Sequence, residues 1–170
     1  MKRIGVRTVL LTDKEYCKVK EIAEGRNATN RAAGIIDQKV TSSSNEMTDE
    51  DGFGAEYATA IFLGVEPDFS LSPRSKGADL IYRQYRIDVK QTRWRHGKLL
   101  AKIGTPITNV HLYISTVGFG KKYIVRGWAW SRELLLRSRI NYKMKKACHA
   151  MLENELRPFV RSSNGIFIFK

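Results

Sequence analysis

Residues 77–93 read GADLIYRQYRIDVKQTR, and this stretch decides the fold prediction because its side chains alternate as they do in a β-hairpin. If Arg83-Gln84 is a two-residue turn, Asp79 faces Asp88 across the hairpin, although the turn lacks the common Asn-Gly signature. A one-residue slip would put the two acids on opposite faces. In the predicted register one face is apolar (Leu80, Tyr82, Tyr85, Ile87, Val89), and the other carries Asp79, Ile81, Arg86, Asp88 and Lys90.

The two facing acids, Asp79 and Asp88, predict a metal site. Directly opposed like charges destabilise a sheet by up to about 1 kcal/mol, and burial would raise this cost or the pKa of one acid. Mg²⁺ removes the conflict, because it binds one or two carboxylates and fills its other positions with water and phosphate oxygens. The ion expected here is therefore Mg²⁺, or Mn²⁺. The competing interpretation is a surface hairpin with an ordinary Asp–Lys ion pair, which would contribute about 0–1 kcal/mol.

Three further side chains are candidates for the same site. Lys90 lies two residues beyond Asp88 on the same face, where an ammonium could orient or help deprotonate an attacking water and offset charge on a phosphate. Glu56, on a preceding apolar stretch, could add a carboxylate to the metal. Gln91 or Thr92 could position water or the scissile phosphate, or could simply continue the strand.

The charge balance of the 170-residue chain points to a polyanionic partner. Lys and Arg total 30 against 17 acids, which gives a net charge of +13 and a pI near 9.9. Nucleic acid is the favoured partner; an anionic membrane and a merely solvated basic surface are the alternatives. No run of about 18 apolar residues is present, so no membrane span is expected. The absence of a signal-peptide pattern and the presence of only two cysteines predict a cytoplasmic protein.

Two basic segments are candidate DNA contacts. Residues 93–98, which follow the acidic strand directly, interleave basic and aromatic side chains that could grip phosphates and pack on a sugar or base: Arg93, Trp94, Arg95 and Lys98. A second candidate phosphate-binding patch comprises Arg137, Arg139, Lys143, Lys145 and Lys146. For both segments the alternative is a solvated basic surface.

The remaining pattern predicts an α+β domain with a mixed central sheet. Thr12-Asp13-Lys14-Glu15 matches a capping box, so a helix should run from Asp13 into the 20s and resume through 30–36. Residues 41–52 read as a loop, and 52–64 as a second helix with Gly64 as its C-cap. The predicted strands are 4–11, 79–82, 86–91, 98–103, 111–117 and 123–130, with a further strand at 165–169.

The constellation Asp79…Asp88-x-Lys90, preceded by a helix bearing Glu56, resembles the PD-(D/E)XK nuclease superfamily, and small phage-type endonucleases in particular, over roughly residues 50–135. The resemblance implies a restriction-endonuclease-like αβββαβ core flanked by helices. It also implies Asp79 and Asp88 as metal ligands, Lys90 as the catalytic lysine and Glu56 as an auxiliary acid. One departure is that the literal Pro-Asp pair is Pro67-Asp68, in a predicted loop.

The sequence thus predicts a Mg²⁺-dependent DNA endonuclease in which metal-activated water hydrolyses a phosphodiester bond. We expect one domain, with an N-terminal helical extension and loop (1–50), a catalytic core (51–135) and a C-terminal basic extension (136–170). The substrate would be double-stranded or branched DNA, and a homodimer would supply two active sites. A phage origin would place the protein in the cytoplasm of a bacterial host. The alternatives are a non-catalytic nucleic-acid-binding module and an RNase on the same fold.

Overall fold

The structure is a computed structural model that describes residues 2–34, 45–71, 77–144 and 146–169. In these residues the chain forms three α-helices: α1 Asp13–Ala32, α2 Asn45–Leu63 and α3 Ser131–Leu134. The strands are β1 Lys2–Ile4, β2 Arg7–Leu10, β3 Leu80–Tyr82, β4 Tyr85–Thr92, β5 Leu99–Lys102, β6 Leu112–Phe119, β7 Lys122–Trp130, β8 Ile140–Asn141, β9 Cys148–Met151, β10 Phe159–Arg161 and β11 Phe167–Ile168. The predicted α+β class with a mixed central sheet is confirmed.

The central sheet has five strands in the order β2-β7-β6-β4-β3. Within it β4 and β6 run parallel, and the other neighbours are antiparallel. The connection between the two parallel strands, residues 93–111, carries β5 rather than a helix. β5 belongs to a second sheet with β9 and β8, while β1, β10 and β11 form a third. The segment that leaves the carboxyl end of β4 therefore passes directly into a neighbouring sheet.

The β3–β4 hairpin forms in the predicted register, with the pairs Leu80–Ile87, Ile81–Arg86 and Tyr82–Tyr85. Arg83 takes a positive φ of 55° in the turn, a conformation that glycine or asparagine usually supplies. The predicted faces also hold, because Ile87 and Val89 are buried whereas Ile81 is 66% exposed. The apolar face of the hairpin thus belongs to the core, and the face that carries the acids lies outside it.

Helix α2 packs across one face of the central sheet. Its buried apolar side chains, which include Phe53, Ala55, Ala58 and Phe62, join those of β4, β6 and β7 in the main core. A buried hydrogen bond of 3.1 Å between the hydroxyls of Thr59 and Thr116 also joins α2 to β6. Gly54 lets α2 lie close to β7, since a Cβ at this position would lie 2.6 Å from Cζ of the buried Tyr123 ring. A smaller apolar cluster on the other face contains Leu99, Ala101, Val110, Tyr113, Ala129, Leu134 and Met151.

The helix predictions are right in kind, and the errors concern their limits. The capping box at Thr12 forms, and α1 then continues unbroken through Gly25 to Ala32. The loop prediction for 41–52 is wrong over 45–52, because α2 already begins at Asn45. Acidic residues in the first turns of a helix stabilise its N-terminus, and the sequence is rich in them here. The C-cap is confirmed, with Gly64 at a φ of 73°. Residues 35–44, where the first helix was also expected to resume, lie outside the described residues.

The strand predictions hold with small shifts, except that the predicted strand at 4–11 is divided into β1 and β2. β2 forms an edge of the central sheet beside β7, so part of the predicted N-terminal extension is built into the sheet. In the same way β9, from the predicted C-terminal extension, pairs with β5. None of the helices in the described segments is long and apolar enough to cross a bilayer.

Candidate active site

The candidate site lies along the edge of β4 that β3 leaves uncovered. β3 pairs with β4 only as far as Ile87, so in the described ladders residues 88–92 pair only with β6. Asp79 does not take the ladder position opposite Asp88 that the sequence predicts. Its N–H donates to the Ile87 carbonyl (2.9 Å), and its Oδ2 accepts the N–H of Val89 (2.7 Å). Because Val89 directly follows Asp88 in the chain, the carboxylate of Asp79 still lies beside Asp88.

Asp88 and Lys90 form an ion pair on the outer face of β4. Oδ1 of Asp88 lies 2.6 Å from Nζ of Lys90, and the two side chains are 21% and 39% exposed. Burial alone would lower the pKa of Lys90, but Asp88 and Asp79 raise it above its ordinary value. The two carboxylates thus favour the ammonium form of Lys90, which can orient a water or a phosphate.

Asp79 is the most electrostatically crowded acid of the group. Burial raises its pKa well above the ordinary value of 3.8, and the charges of Glu56 and Asp88 raise it further. Lys90 and the Val89 N–H oppose this shift without cancelling it. The carboxylate of Asp79 thus faces two like charges at once, which is the conflict that the sequence predicts for this position.

Glu56 approaches the acids from α2, but it is already paired. Its Oε2 accepts a hydrogen bond of 3.0 Å from Nη1 of Arg26 on α1. Burial raises the pKa of Glu56, with Arg26 acting against the shift and Asp88 adding to it. The predicted third metal carboxylate is thus engaged by Arg26, a residue that the sequence analysis missed because no local pattern connects α1 with α2.

Arg26 also binds the segment after α2. Its Nη2 and Nε donate to the carbonyls of Asp68 (2.6 Å) and Ser70 (3.1 Å), and its guanidinium lies over the ring of Phe53 at 4.5 Å. The carboxylate of Asp68, the alternative acid of the sequence motif, accepts the Ser70 N–H at 2.9 Å and lies 3.8 Å from Arg26. Asp68 therefore belongs to this loop contact and does not join Asp79 and Asp88.

Tyr113 is a second residue of the site that the sequence analysis missed. It lies on β6 opposite Asp88 in the parallel ladder, is fully buried, and its hydroxyl has no hydrogen-bond partner among the described residues. Burial raises the pKa of Tyr113, and Asp88 and Asp79 raise it further, which places the phenol near both acids. Nζ of Lys90 lies 5.9 Å from the centre of its ring. A prediction that β4 and β6 are parallel neighbours would have found it.

The side chain of Gln91 lies on the other face of β4 from Asp88 and Lys90. Successive strand residues alternate between faces, so Gln91 shares the face of Val89, opposite to that of Asp88 and Lys90. Its Nε2 donates to the Gly118 carbonyl at 2.6 Å, which ties β4 to the end of β6. The expected catalytic role of Gln91 stays a prediction, and its side-chain amide is engaged by this backbone contact. Thr92, the other residue considered, is on the outer face, where its Oγ1 accepts the N–H of Trp94 (3.2 Å).

The first predicted DNA-contact segment, 93–98, forms the turn between β4 and β5. The side chain of Arg93 is partly engaged, because its Nε lies 2.5 Å from Oδ2 of Asp51 on α2 and its guanidinium lies over the ring of Phe119, but it is still 38% exposed. Trp94 is 78% exposed, and Arg95 and Lys98 are also exposed. This turn therefore presents an indole and three cations to solvent, one of which is paired with Asp51.

The second predicted patch is more dispersed. Arg139 is paired with Glu155 at 2.8 Å, while Arg137, Lys143 and Lys146 are exposed. Lys145 lies outside the described residues. Three exposed cations therefore remain on this segment for contacts with a polyanion.

The donor chemistry of the site fits Mg²⁺, which prefers carboxylate oxygens and needs only one or two of them. Asp79 and Asp88 supply two neighbouring carboxylates at one strand edge. Among the described residues no group of three His, Cys, Asp or Glu side chains is arranged to hold a metal ion. The arrangement thus offers a two-carboxylate site, not a closed protein cage. Comparisons with family models, curated proteins and solved structures give no match for this chain.

Proposed function

We propose that the protein is a Mg²⁺-dependent DNA endonuclease. The observation that carries this proposal is the crowding of Asp79, Asp88 and Glu56 beside one strand edge of a chain with a net charge of +13. Like charges on a partly buried edge cost stability. Arg26 and Lys90 offset only part of this charge, and the crowding that remains at Asp79 favours a site that receives a metal ion and a phosphate.

The chain's own residues divide the chemistry as follows. Asp79 and Asp88 would hold the ion, which supplies Lewis acidity toward a phosphate oxygen and an acidified water. Lys90 places its ammonium on the same face, where it orients the attacking water and offsets charge that develops on the phosphate. Arg26 keeps Glu56 in place behind the two ligands. The exposed cations Arg95 and Lys98 bind neighbouring phosphates.

A restriction-endonuclease-like core is part of the proposal. The order α2, β3, β4, with the acids at the start of the hairpin and along its second strand, supports it. One feature departs from the αβββαβ pattern, because residues 93–111 carry β5 of another sheet where a compact strand-to-strand connection would be expected. The proposal therefore depends on the acids and not on the topology.

Cleavage of supercoiled plasmid in Mg²⁺ tests the proposed function. The wild-type protein should convert plasmid to nicked or linear forms, EDTA should stop it, and Asp88→Ala and Lys90→Ala should each slow it by at least about 100-fold. Asp68→Asn is the matched control and should cut normally. Equal cleavage by all variants would identify a contaminating nuclease.

A second candidate is a non-catalytic nucleic-acid-binding module. It is favoured by one observation: each acid already has a partner within the chain, with Glu56 on Arg26, Asp88 on Lys90 and Asp79 on the Val89 N–H. Calorimetry with Mn²⁺ or Ca²⁺ separates the two candidates. Metal uptake by the wild type but not by Asp88→Ala supports the enzyme, whereas DNA binding without metal uptake supports the module.

A further inference from the structure

Arg126 on β7 is a buried cation with an unusual set of partners. It is 8% exposed, and its guanidinium donates to the carbonyls of Arg95 (3.0 Å) and Gly97 (2.7 Å) and to Oγ of Ser115 (2.7 Å). The carboxylate of Glu153 lies 3.6 Å away and is itself 44% exposed. Burial of a charge is costly unless it is well hydrogen-bonded. Here two of the three bonds hold the turn 93–98.

The turn is held from within as well. The N–H of Trp94 donates to Oγ1 of Thr92 (3.2 Å), and the N–H of Gly97 donates to the Trp94 carbonyl (2.9 Å). A Cβ on Gly97 would lie 2.5 Å from the Thr92 hydroxyl, so this close approach requires glycine. Together with the bonds from Arg126, these contacts restrain the backbone on both sides of Trp94.

Trp94 itself contributes nothing to the core. It is 78% exposed, whereas Trp128 is 1% exposed and packs edge-on against Trp130. An exposed indole on a fixed turn is a large aromatic face without a partner in the described structure. Three cations of the turn, Arg93, Arg95 and Lys98, are also exposed, and of these Arg93 is paired with Asp51.

We infer that residues 93–98 form a platform for an unpaired nucleotide, with Trp94 stacking on its base and Arg126 as the positioning residue of the platform. In a duplex the base faces are covered by neighbouring bases, so an aromatic side chain can stack only where a base is unpaired or terminal. The Cα of Trp94 lies at most about 14 Å from that of Lys90, because the two residues are four positions apart in the chain. If the protein is the nuclease proposed above, on which this step rests, the DNA that it cuts contains single-stranded nucleotides.

Binding measured without metal tests the platform independently of cleavage. In EDTA at one fixed salt concentration, fluorescence anisotropy compares a labelled oligothymidine with a blunt duplex of equal length. The wild type should bind the single strand more tightly. Trp94→Ala should weaken single-strand binding by roughly 5- to 150-fold, Trp94→Phe should keep most of it, and neither should change duplex binding. Leu10→Ala removes another exposed apolar side chain, at the opposite sheet edge, and should change neither affinity.

The positioning role of Arg126 is tested with Arg126→Lys, which keeps the charge but loses the fork that reaches several acceptors. It should weaken single-strand binding more than duplex binding, and Trp94→Ala should then add little to the single-strand loss in the Arg126→Lys background. Additive effects, or equal losses on single strand and duplex, would overturn the assignment. A wild-type protein without single-strand preference overturns the platform even if it cuts plasmid, whereas failure of plasmid cleavage alone counts only against the nuclease.

Discussion

Replacing Asp79 with asparagine should stabilise the metal-free protein. The amide oxygen of Asn can still accept the Val89 N–H, although a hydrogen bond to a neutral acceptor is weaker by about 1 kcal/mol. The substitution removes repulsion from Glu56 and from Asp88, each of up to about 1 kcal/mol. It also removes the cost of burying the charge, which is larger than the attraction to Lys90 that is lost. The net gain in the free energy of unfolding should be about 1 kcal/mol.

Urea unfolding followed by circular dichroism in EDTA measures this difference, which corresponds to a Tm increase of about 2–4 °C for a chain of this size. Mg²⁺ should then reverse the order of the two proteins. At 100 times its dissociation constant the ion adds about 2.7 kcal/mol to the wild type, and it should add much less to Asp79→Asn.

Asp68→Asn is the control, since it makes the same change at the alternative acid of the motif, whose side chain is 55% exposed. It should leave both the metal-free stability and the Mg²⁺ response unchanged. If Asp79→Asn instead loses several kcal/mol in EDTA, the acids are part of a structural ion-pair network. An equal Mg²⁺ response in the wild type and Asp79→Asn would likewise refute the two-carboxylate site.

Three further predictions concern the framework of the site. Gly54→Ala should lower the free energy of unfolding, measured with urea, by about 1–3 kcal/mol, because the added Cβ overlaps a buried ring. In Gly52→Ala, in the same helix, the added Cβ meets no atom within 4 Å, and the free energy of unfolding should rise by up to about 1 kcal/mol. Similar values for the two variants would contradict the packing argument. Arg26→Met leaves the glutamate of α2 without its cation and should cost about 3 kcal/mol by the same assay, and much less when that glutamate is also changed to Gln. The hydrogen bond from Arg157 lowers the pKa of Glu133 below its ordinary 4.5, so this pair stabilises the protein above pH 4.5 and loses that contribution as the pH falls through the lower folded pKa. The free energy of unfolding should therefore fall less steeply with acid in Glu133→Gln than in the wild type. Parallel stability–pH curves for the two proteins would contradict the role of the pair.

The hairpin was the most predictable part of the site, and its end was the least predictable. Alternation along 79–90 is sufficient to predict the register and the buried face, because a period of two admits only one choice of core side. The same pattern cannot say where a ladder stops. Asp79 leaves the sheet and bonds the Val89 N–H with its side chain, so the two acids are neighbours through a contact that differs from the predicted pairing.

The residues that the sequence analysis missed all depend on contacts between distant segments. Tyr113 meets Asp88 only because β4 and β6 are parallel neighbours, and Arg26 meets Glu56 only because α1 packs on α2. In the sequence, Arg126 is indistinguishable from other strand residues. Only in the folded protein does its guanidinium, on β7, donate to the backbone of the turn at 93–98. Periodicity reports which face of an element is buried, but it does not report which elements come together.

The pairing of β1 with β10 joins Lys2–Ile4 to Phe159–Arg161. More than 150 residues separate these two segments in the chain, so during synthesis their pairing cannot form until residue 161 has left the ribosome exit tunnel. In the same way, β5 can pair only after Cys148–Met151, which forms β9, has been made. Pairings so distant in sequence are slow to form, so the edges of β1 and β5 stay unpaired while the residues up to their partner strands are being made.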